Sequence, residues 1–530
     1  MDPGLCLLDR QLMFIGLSSP QSCSYICALT FHYALLVRTA RKRLLRKQQE
    51  KMSNTIKAAA SLPASSVMVI RPHPDSDGQV VKLSAIDQIA PRDYMSICLF
   101  FRLASDADTE QIFSVLHKAL LRSVGDIPEL ACCVQKRTDS SREEVELLFD
   151  SSKGVEIHYK DYTSPELRDQ WTLGTFDQLE QEHFPLNKMP RHIIFGTSVE
   201  LEDNVAYMYV SIPSRDSGSG WNGFQGAHFA AISDGAVSKP TTPIHFLERS
   251  DLIEGDQSAK LEEFPHWRLA EDTTKFLNPT AYEVSEASTF EYATYFISAE
   301  ALSLLRSRIS SKITGTKVGT VEALGAFLWR HIIVARDIDP QKYPEAKLSI
   351  TINARGRIES PNVPSTYWGN FAEPNAVAKL PVAKLQQGSS SSTPEHPMST
   401  VYPEAVRHIQ RAIAAVDDKA VRRLVGLLNQ MPKSTTLTWN ANRYPGPDLL
   451  IVCIQSHKYN DIYFGQQLGY SSALRVTIGN TEGKPDGRCL VLPPRRADGK
   501  GLEIALQYDS STLKRLEDNI EFAEFFVRRN

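Results

Sequence analysis

Hydrophobic residues recur at helical spacing in residues 320–336, TVEALGAFLWRHIIVAR, where Val321, Leu324, Phe327, Leu328 and Ile332 form one stripe. That stripe predicts an amphipathic helix. Residues 108–124 carry Ile112, Phe113, Leu116, Leu120 and Leu121 in the same rhythm, and Asp108 stands where a helix cap is needed. Shorter β-branched or alternating runs predict strands at 67–72, 93–103, 129–135 and 144–150, the last two paired. HIIFGTSV and NVAYMYVSIP predict two more, the second running through a polar turn into a helix over 218–232. Residues 240–290 are rich in Pro, Thr, Glu and Ser with little periodicity, and read as a crossover. Beyond it come a strand and helix cap in STFEYATYFISAEAL and a strand in KLSITINARGR that enters a basic turn. Helices follow over 402–430, then strands in TTLTWN, LLIVCIQS, ALRVTI and CLVLPP, and a last helix over 510–528. Residues 385–400, LQQGSSSSTPEHPMST, read as a low-complexity surface loop. Strands alternating with helices in two similar-sized halves predict an α/β protein of two domains.

A length of 530 residues is long for one core and sufficient for two. The net charge of −3 gives no reason to expect nucleic acid. Eight cysteines, with no CxxC pair and no Cys/His cluster at zinc spacing, predict reduced, mostly buried thiols and no metal site. The N-terminus differs from the rest. Its apolar run at 23–37, CSYICALTFHYALLV, is broken by His32 and followed by the basic RTARKRLLRK. The run is short against the roughly 20 residues of a spanning helix. It also lacks the preceding charge and the cleavage site of a secretory signal. Residues 1–60 therefore read as a leader, with Met52 as the working start, or as a weak membrane anchor through residues 23–47. The expectation is a cytoplasmic monomer, with peripheral membrane attachment as the alternative.

Three motifs bear on chemistry. A histidine followed four residues later by Asp-Gly occurs at His73 to Gly78, HPDSDG, but this is a polar turn with no helix after it. His228 and Asp234, in HFAAISDG, are two residues too far apart for the same pattern and fall on the helix after Asp216. Residues 350–374, ITINARGRIESPNVPSTYWGNFAEP, join an Arg-x-Arg turn to a Tyr-x-Gly-Asn turn, with Pro361 and Pro364 stiffening the link.

That last segment resembles the middle motif of the BAHD family of acyl-CoA-dependent acyltransferases. Other pieces follow in the family's order. The strand, turn and helix around Asp216 resemble the His-x-x-x-Asp region, and PIHFLERSDLI (243–253) resembles the Pro-x-x-x-Asp-Arg-Ser segment. TVEALGAFLWRHI resembles the Thr-x-x-Ala-x-x-Trp helix, and IQSHKYNDIYFGQQLGYSSALRV (454–476) resembles the strand leading to Asp-Phe-Gly-Trp-Gly. The serine-rich insertion looks more fungal than plant. The resemblance implies a chloramphenicol acetyltransferase-like α/β fold: two similar mixed-sheet domains, 61–262 and 263–530, with a tunnel between them. Acyl-CoA is then the co-substrate, a small molecule is the acceptor, and no bound cofactor or metal is needed.

Carried over residue by residue, Asp216, Arg355, Gly369, Asn370, Phe464 and Gly465 match the family, while Tyr463 stands at an aspartate position and Ile212 at that of the base. The resemblance makes Asp216, Tyr463, Phe464 and Gly465 structural motif residues, and Arg355, Gly369, Asn370 and Gln455 pocket residues. The choice of Asp216 over Asp234 rests on distance. It leaves 26 residues before Pro243, room for a helix and a turn, where Asp234 leaves eight. Isoleucine cannot accept a proton, and general-base help is worth about 10²–10⁴-fold. Either the base is lost, or His457 replaces it from the strand that carries Gln455, where residues two apart share a face. Three functions follow. The first is acyl transfer to a small secondary metabolite. The alternatives are a tunnel-retaining enzyme of another reaction type, cyclisation or dehydration, and a non-catalytic pseudoenzyme.

Overall fold

The computed structural model describes residues 63, 65–89, 97–104, 107–137, 144–185, 253–270, 290–360, 363, 369–371, 376–388, 397–431, 436–455, 459–476 and 487–530. The chain divides between Pro63 and Ala64, and the architecture below is that of the unit Ala64–Asn530. Ile212, Asp216, His228, Asp234 and His457 lie outside the described residues, as do the strands expected at 192–199 and 204–213 and the helix at 218–232.

The first half contributes β1 Ser65–Ile70, β2 Val80–Lys82, α1 Ala85–Gln88, β3 Ile97–Phe100, α2 Thr109–Asp126, β4 Cys133–Lys136, β5 Val145–Leu148, β6 Val155–Lys160 and α3 Phe176–Gln181. Then come β7 Trp267–Ala270, β8 Phe290–Ser298, α4 Ala299–Ser310, α5 Thr320–Ala335, β9 Glu345–Ile350, β10 Ala376–Pro381, α6 Val382–Leu385, α7 Pro397–Ala414 and α8 Asp418–Gln430. The chain ends with β11 Thr436–Trp439, β12 Leu449–Cys453, β13 Ala473–Val476, β14 Arg488–Leu492, β15 Gly501–Asp509, α9 Ser510–Glu517, α10 Ile520–Phe525 and β16 Val527–Arg528.

A seven-stranded mixed sheet, in the order β10-β9-β12-β14-β15-β8-β16, forms the centre. β9, β12 and β14 run parallel, and the remaining neighbours are antiparallel. Side chains alternate across the pleat. Leu502, Ile504, Leu506 and Tyr508 of β15 therefore face the helices, together with Ala293, Tyr295 and Ile297 of β8. Leu490 and Leu492 of β14, Ala505 of β15 and Tyr292 of β8 face the opposite side, where they meet Phe464, Leu474 and Val476. Both faces of the sheet are thus covered. On the helical side, α5 is the centrepiece. The stripe predicts an amphipathic helix here; the helix is present, but its residues from Ala323 to Ile333 are all buried, including those off the stripe.

Smaller sheets surround this core. They are the pairs β1/β6, β3/β13 and β7/β11 and the three strands β2-β5-β4. The pair β7/β11 corrects the expectation for 240–290. Trp267–Ala270 is a strand in register with Thr436–Trp439, held where the Trp267 and Trp439 rings lie 4.6 Å apart.

Other boundaries also move. The first strand begins two residues earlier than expected and ends at Ile70, and the strand at 93–103 ends at Phe100. Pro128 opens a 3₁₀ turn over Pro128–Ala131, so the strand expected from residue 129 starts at Cys133. The low-complexity loop ends before Pro397, which begins α7. The last helix is broken where Asn519 caps α10, its side chain accepting from the Phe522 N–H. Among the described residues, Cys489 is buried while Cys98, Cys132, Cys133 and Cys453 are half-buried, and these five are not joined in disulfides. No helix among the described residues is long and apolar enough to cross a membrane.

Candidate active site

The three parallel strands β9, β12 and β14 release their chains on the same edge of the sheet, where ligands bind in open α/β sheets. After β9 comes the Arg-x-Arg turn. Arg355 is almost wholly buried, and its charge is met by local oxygens. Its backbone N–H and Nη1 both donate to Asn353 Oδ1, at 3.1 and 3.2 Å, and Nη2 donates to the Gly369 carbonyl. The guanidinium also lies 5.6 Å from the centre of the Phe371 ring. Backbone joins the two turns as well, since the Ala354 N–H donates to the Phe371 carbonyl at 2.9 Å. The structure therefore brings Arg355 onto Gly369, 14 residues further along the chain, and its neighbour Asn370.

Asn370 extends the connection to α1. Its N–H donates to Asp87 Oδ1 at 2.6 Å, and its side-chain amide donates to the Ile86 carbonyl at 3.1 Å. Asp87 is fixed in turn by a capping box with Ser84, whose N–H and hydroxyl donate to Asp87 Oδ2 at 3.0 and 2.7 Å. Asp87 is a residue that sequence reasoning missed. The Ser-x-x-Asp spacing at 84–87 was the available signal. Arg357, the second arginine of the turn, donates Nη1 to the Ile413 and Val416 carbonyls at 2.6 Å each and ties the turn to the end of α7.

After β12 the chain passes Ile454, whose N–H donates to the Val491 carbonyl at 2.8 Å, and reaches Gln455. β12 ends at Cys453, so the two-residue alternation of a strand does not extend to Gln455. The Gln455 Oε1 is buried without a hydrogen-bond partner. Burial pushes the Cys453 thiol up to about 12, and a side-chain hydrogen bond from Gln455 opposes the rise. That thiol is therefore no nucleophile at neutral pH.

Tyr463, Phe464 and Gly465 form a tight turn on the sheet face opposite the helices. The Phe464 N–H donates to the Gly469 carbonyl and the Gly469 N–H to the Gly465 carbonyl, both at 2.7 Å. Gly465 has φ of 90°, which only glycine adopts without strain. The Phe464 ring packs edge-on to Phe101 at 5.0 Å, and the Tyr463 ring lies 5.1 Å from Tyr470.

A second anchor was also missed. Arg475 of β13 and Glu503 of β15 form a fully buried ion pair, at 2.8 Å from Nη1 to Oε2. Nη2 donates to Glu503 Oε1 at 3.3 Å, Nη1 to the Leu474 carbonyl at 2.7 Å, Nε to the Phe184 carbonyl at 3.0 Å and Nη2 to the His183 carbonyl at 2.5 Å. All five guanidinium donors are engaged. The residues they hold, His183 and Phe184, take left-handed φ values of 62° and 55° just past α3. The signal was a charged residue inside each of two otherwise apolar runs, ALRVTI and GLEIALQY.

His73 lies in the exposed turn that the sequence suggested, capping the 3₁₀ turn Pro74–Ser76 through the Asp75 N–H. Among the described residues no group of three His, Cys, Asp or Glu side chains is placed to hold a metal ion.

With this geometry in hand, known proteins supply the comparison. The pattern described as "Transferase family" matches residues 226–523, more than half of the chain. The chain is 27% identical over 474 residues to acyltransferase easC of Emericella nidulans, a match covering 84% of this chain and 95% of that protein. It is 25% identical over 482 residues to acyltransferase cm3D of Cordyceps militaris, covering 84% and 96%. Among solved structures it is similar to TRI101 of F. sporotrichioides complexed with coenzyme A and T-2, with a TM-score of 0.63, 16% identity and coverage of 85% and 100%.

Proposed function

The chain belongs to the Transferase family of BAHD-type acyltransferases, and from that premise we propose that it moves an acyl group from acyl-CoA to a hydroxyl or amine of a small secondary metabolite. The observation that carries this reading is the near full-length match to fungal acyltransferases, across both halves of the chain. The α/β fold is the chloramphenicol acetyltransferase-like one that TRI101 also has. TRI101 has been crystallised with coenzyme A together with T-2 mycotoxin and with deoxynivalenol, which supports coenzyme A as carrier and a small molecule as acceptor. A reaction of another type finds no such support among the relatives.

In this proposal the protein comprises domains 61–262 and 263–530, and the reaction takes place in a tunnel between them. The cluster of Arg355, Gly369, Asn370 and Asp87 acts as a brace that fixes the turn after β9. Its polar atoms are turned on one another, which supports a supporting role over contact with substrate. Gln455, with its unpartnered Oε1, is the better pocket residue, suited to accept a hydrogen bond from a hydroxyl or amide. The turn of Tyr463, Phe464 and Gly465 packs the wall. The base position holds Ile212, and His457 is proposed as the surrogate that takes the acceptor proton. The protein is proposed to act in the cytoplasm as a monomer, with any membrane contact made through residues 23–47.

Purified protein with acetyl-CoA or longer acyl-CoAs and extracts of the host's metabolites should release free coenzyme A in step with a new ester or amide seen by mass spectrometry. Coenzyme A binding with no product from any acceptor would favour the pseudoenzyme. Replacing His457 by alanine should lower kcat about 100-fold if it is the base. An unchanged kcat would leave a reaction in which the substrate supplies its own acidity.

A further inference from the structure

The register of β2 on β5 runs out one residue before Val145. Lys82, the last residue of β2, pairs with Glu146, and two residues later Ser84 already caps α1. The Gln88 side chain takes the next place on the ladder. The Val145 N–H donates to Gln88 Oε1 at 2.9 Å, and Gln88 Nε2 donates to the Val145 carbonyl at 2.8 Å. A carboxamide carries the same donor and acceptor as a peptide group, so the pair copies one rung of an antiparallel sheet. The last residue of α1 is thereby fixed to the sheet β2-β5-β4 of the first half.

The two residues before Gln88 are fixed to the second half. The Ile86 carbonyl and the Asp87 carboxylate both accept from Asn370. The buried Ile86 side chain packs in one cluster with Ala354, Ile358 and Phe371. Asn370 follows Gly369, whose carbonyl takes Arg355. One continuous path therefore runs from β5 through Gln88, Asp87, Asn370 and Gly369 to Arg355 in the turn that leaves β9.

The fate of the chain leaving β12 shows where this path stands. It passes Gln455 and goes on to β13, which pairs with β3 of the first half in the register Ala473 to Phe100. The strand-exit edge of the central sheet is thus joined to the first half at two seams, α1 for the chain from β9 and β13 for the chain from β12. The β13 seam is a backbone ladder backed by the buried pair of Arg475 and Glu503. In each hydrogen bond of the α1 seam given above, one partner is a side chain, so a single substitution can loosen it. We propose that α1 is a strut between the halves, and that Asp87 and Gln88 are positioning residues for acyl transfer, acting through Asn370 and Val145. The proposal rests on the acyltransfer reading. They hold the turn after β9 in place against the first half, and a misplacement of about 1 Å at reacting groups can cost about 100-fold in rate.

The test uses the full chain and Gln88→Met, which keeps the length of the side chain and removes both hydrogen bonds to Val145. Amide exchange is followed at Asn370 and Ala354, whose N–H groups donate to Asp87 Oδ1 and the Phe371 carbonyl at the far end of the path. Both should exchange about tenfold faster in the variant, while the amides of α5 keep their rate and report an intact fold. Turnover with an acyl-CoA and its acceptor should then show kcat lowered about tenfold or more, with KM for the acyl-CoA within about twofold. With α5 exchange unchanged, a loss of folded protein cannot produce that fall in kcat. Unchanged exchange at Asn370 and Ala354, or an unchanged kcat, would overturn the proposal. If the unaltered chain transfers no acyl group, the acyltransfer reading fails, and exchange at Asn370 and Ala354 still decides whether the strut exists. Should Gln88→Met fail to fold, native-state exchange of the unaltered chain decides: the Val145, Asn370 and Ala354 amides should open in one step with a common denaturant dependence, and three separate openings refute the strut.

Discussion

Arg475 shows how much one side chain can hold. It ties β13 to β15 through Glu503 and pins two left-handed residues through their carbonyls. Lysine carries the charge but not the planar fork, so it cannot reach these acceptors together. Removing one member of a buried pair leaves the other charged and unpaired, at a cost of about 3–5 kcal/mol. Arg475→Met should therefore lower the melting temperature strongly, and Arg475→Lys should fall nearly as far. The double variant Arg475→Met/Glu503→Leu should recover part of the loss, because no lone charge remains. Denaturant melts of the three variants check this, and a double variant no better than the single one would mean that the carbonyl contacts, not the ion pair, carry the effect.

At the scale of elements, α8 is positioned by the absence of a side chain. A Cβ on Gly426 would overlap the carbonyl of Asp256, which packs against the helix and donates its N–H to the Arg422 carbonyl at 2.9 Å. Alanine is normally the better helix former by about 1 kcal/mol. Here the overlap wins, and Gly426→Ala should destabilise by about 1–3 kcal/mol, read from a thermal melt. Elements with strong local signals were legible in the sequence. Asp108 caps α2 and Ser298 caps α4 through the contacts their positions suggested. β2, β6, β10, β15 and α3 were not read, and for β2 and β6 the reason is that their pairing partners are remote. Val155–Lys160, for example, alternates half-buried with exposed residues over most of its length and is fixed by β1, its partners lying 85 (Ile70 to Val155) to 95 (Ser65 to Lys160) positions away. The Arg355 and Asn370 motif was legible as a pattern, but its partner Asp87 lies 283 residues from Asn370 and no local rule links them.

For the whole molecule, the described histidines with displaced titration all move the same way. His266 sits among Phe264, Trp267 and Trp439, with ring centres 6.0 to 6.2 Å away. Burial first, then Lys379 and Lys347, lowers it to about 4. His331 is held neutral chiefly by burial, and His117 is lowered for the same reason. Unfolded histidine takes a proton near pH 6.5. The unfolded chain therefore gains protons that the folded one refuses. Stability is complete above about pH 6.5 and falls as the pH drops towards about 4. Melting temperatures across that window should decline steadily, and His266→Phe should flatten the slope.

The burial of α5 on every side reaches beyond packing. A helix with a wet face can loosen locally, and its amides then trade hydrogen with solvent while the rest of the molecule stays intact. From Ala323 to Ile333 this helix offers no such face. The amide hydrogens of that stretch should exchange only when the whole C-terminal core opens, and so should be among the slowest in deuterium labelling. Their exchange rate would then report the global unfolding free energy of that core from inside the native state, with no denaturant needed.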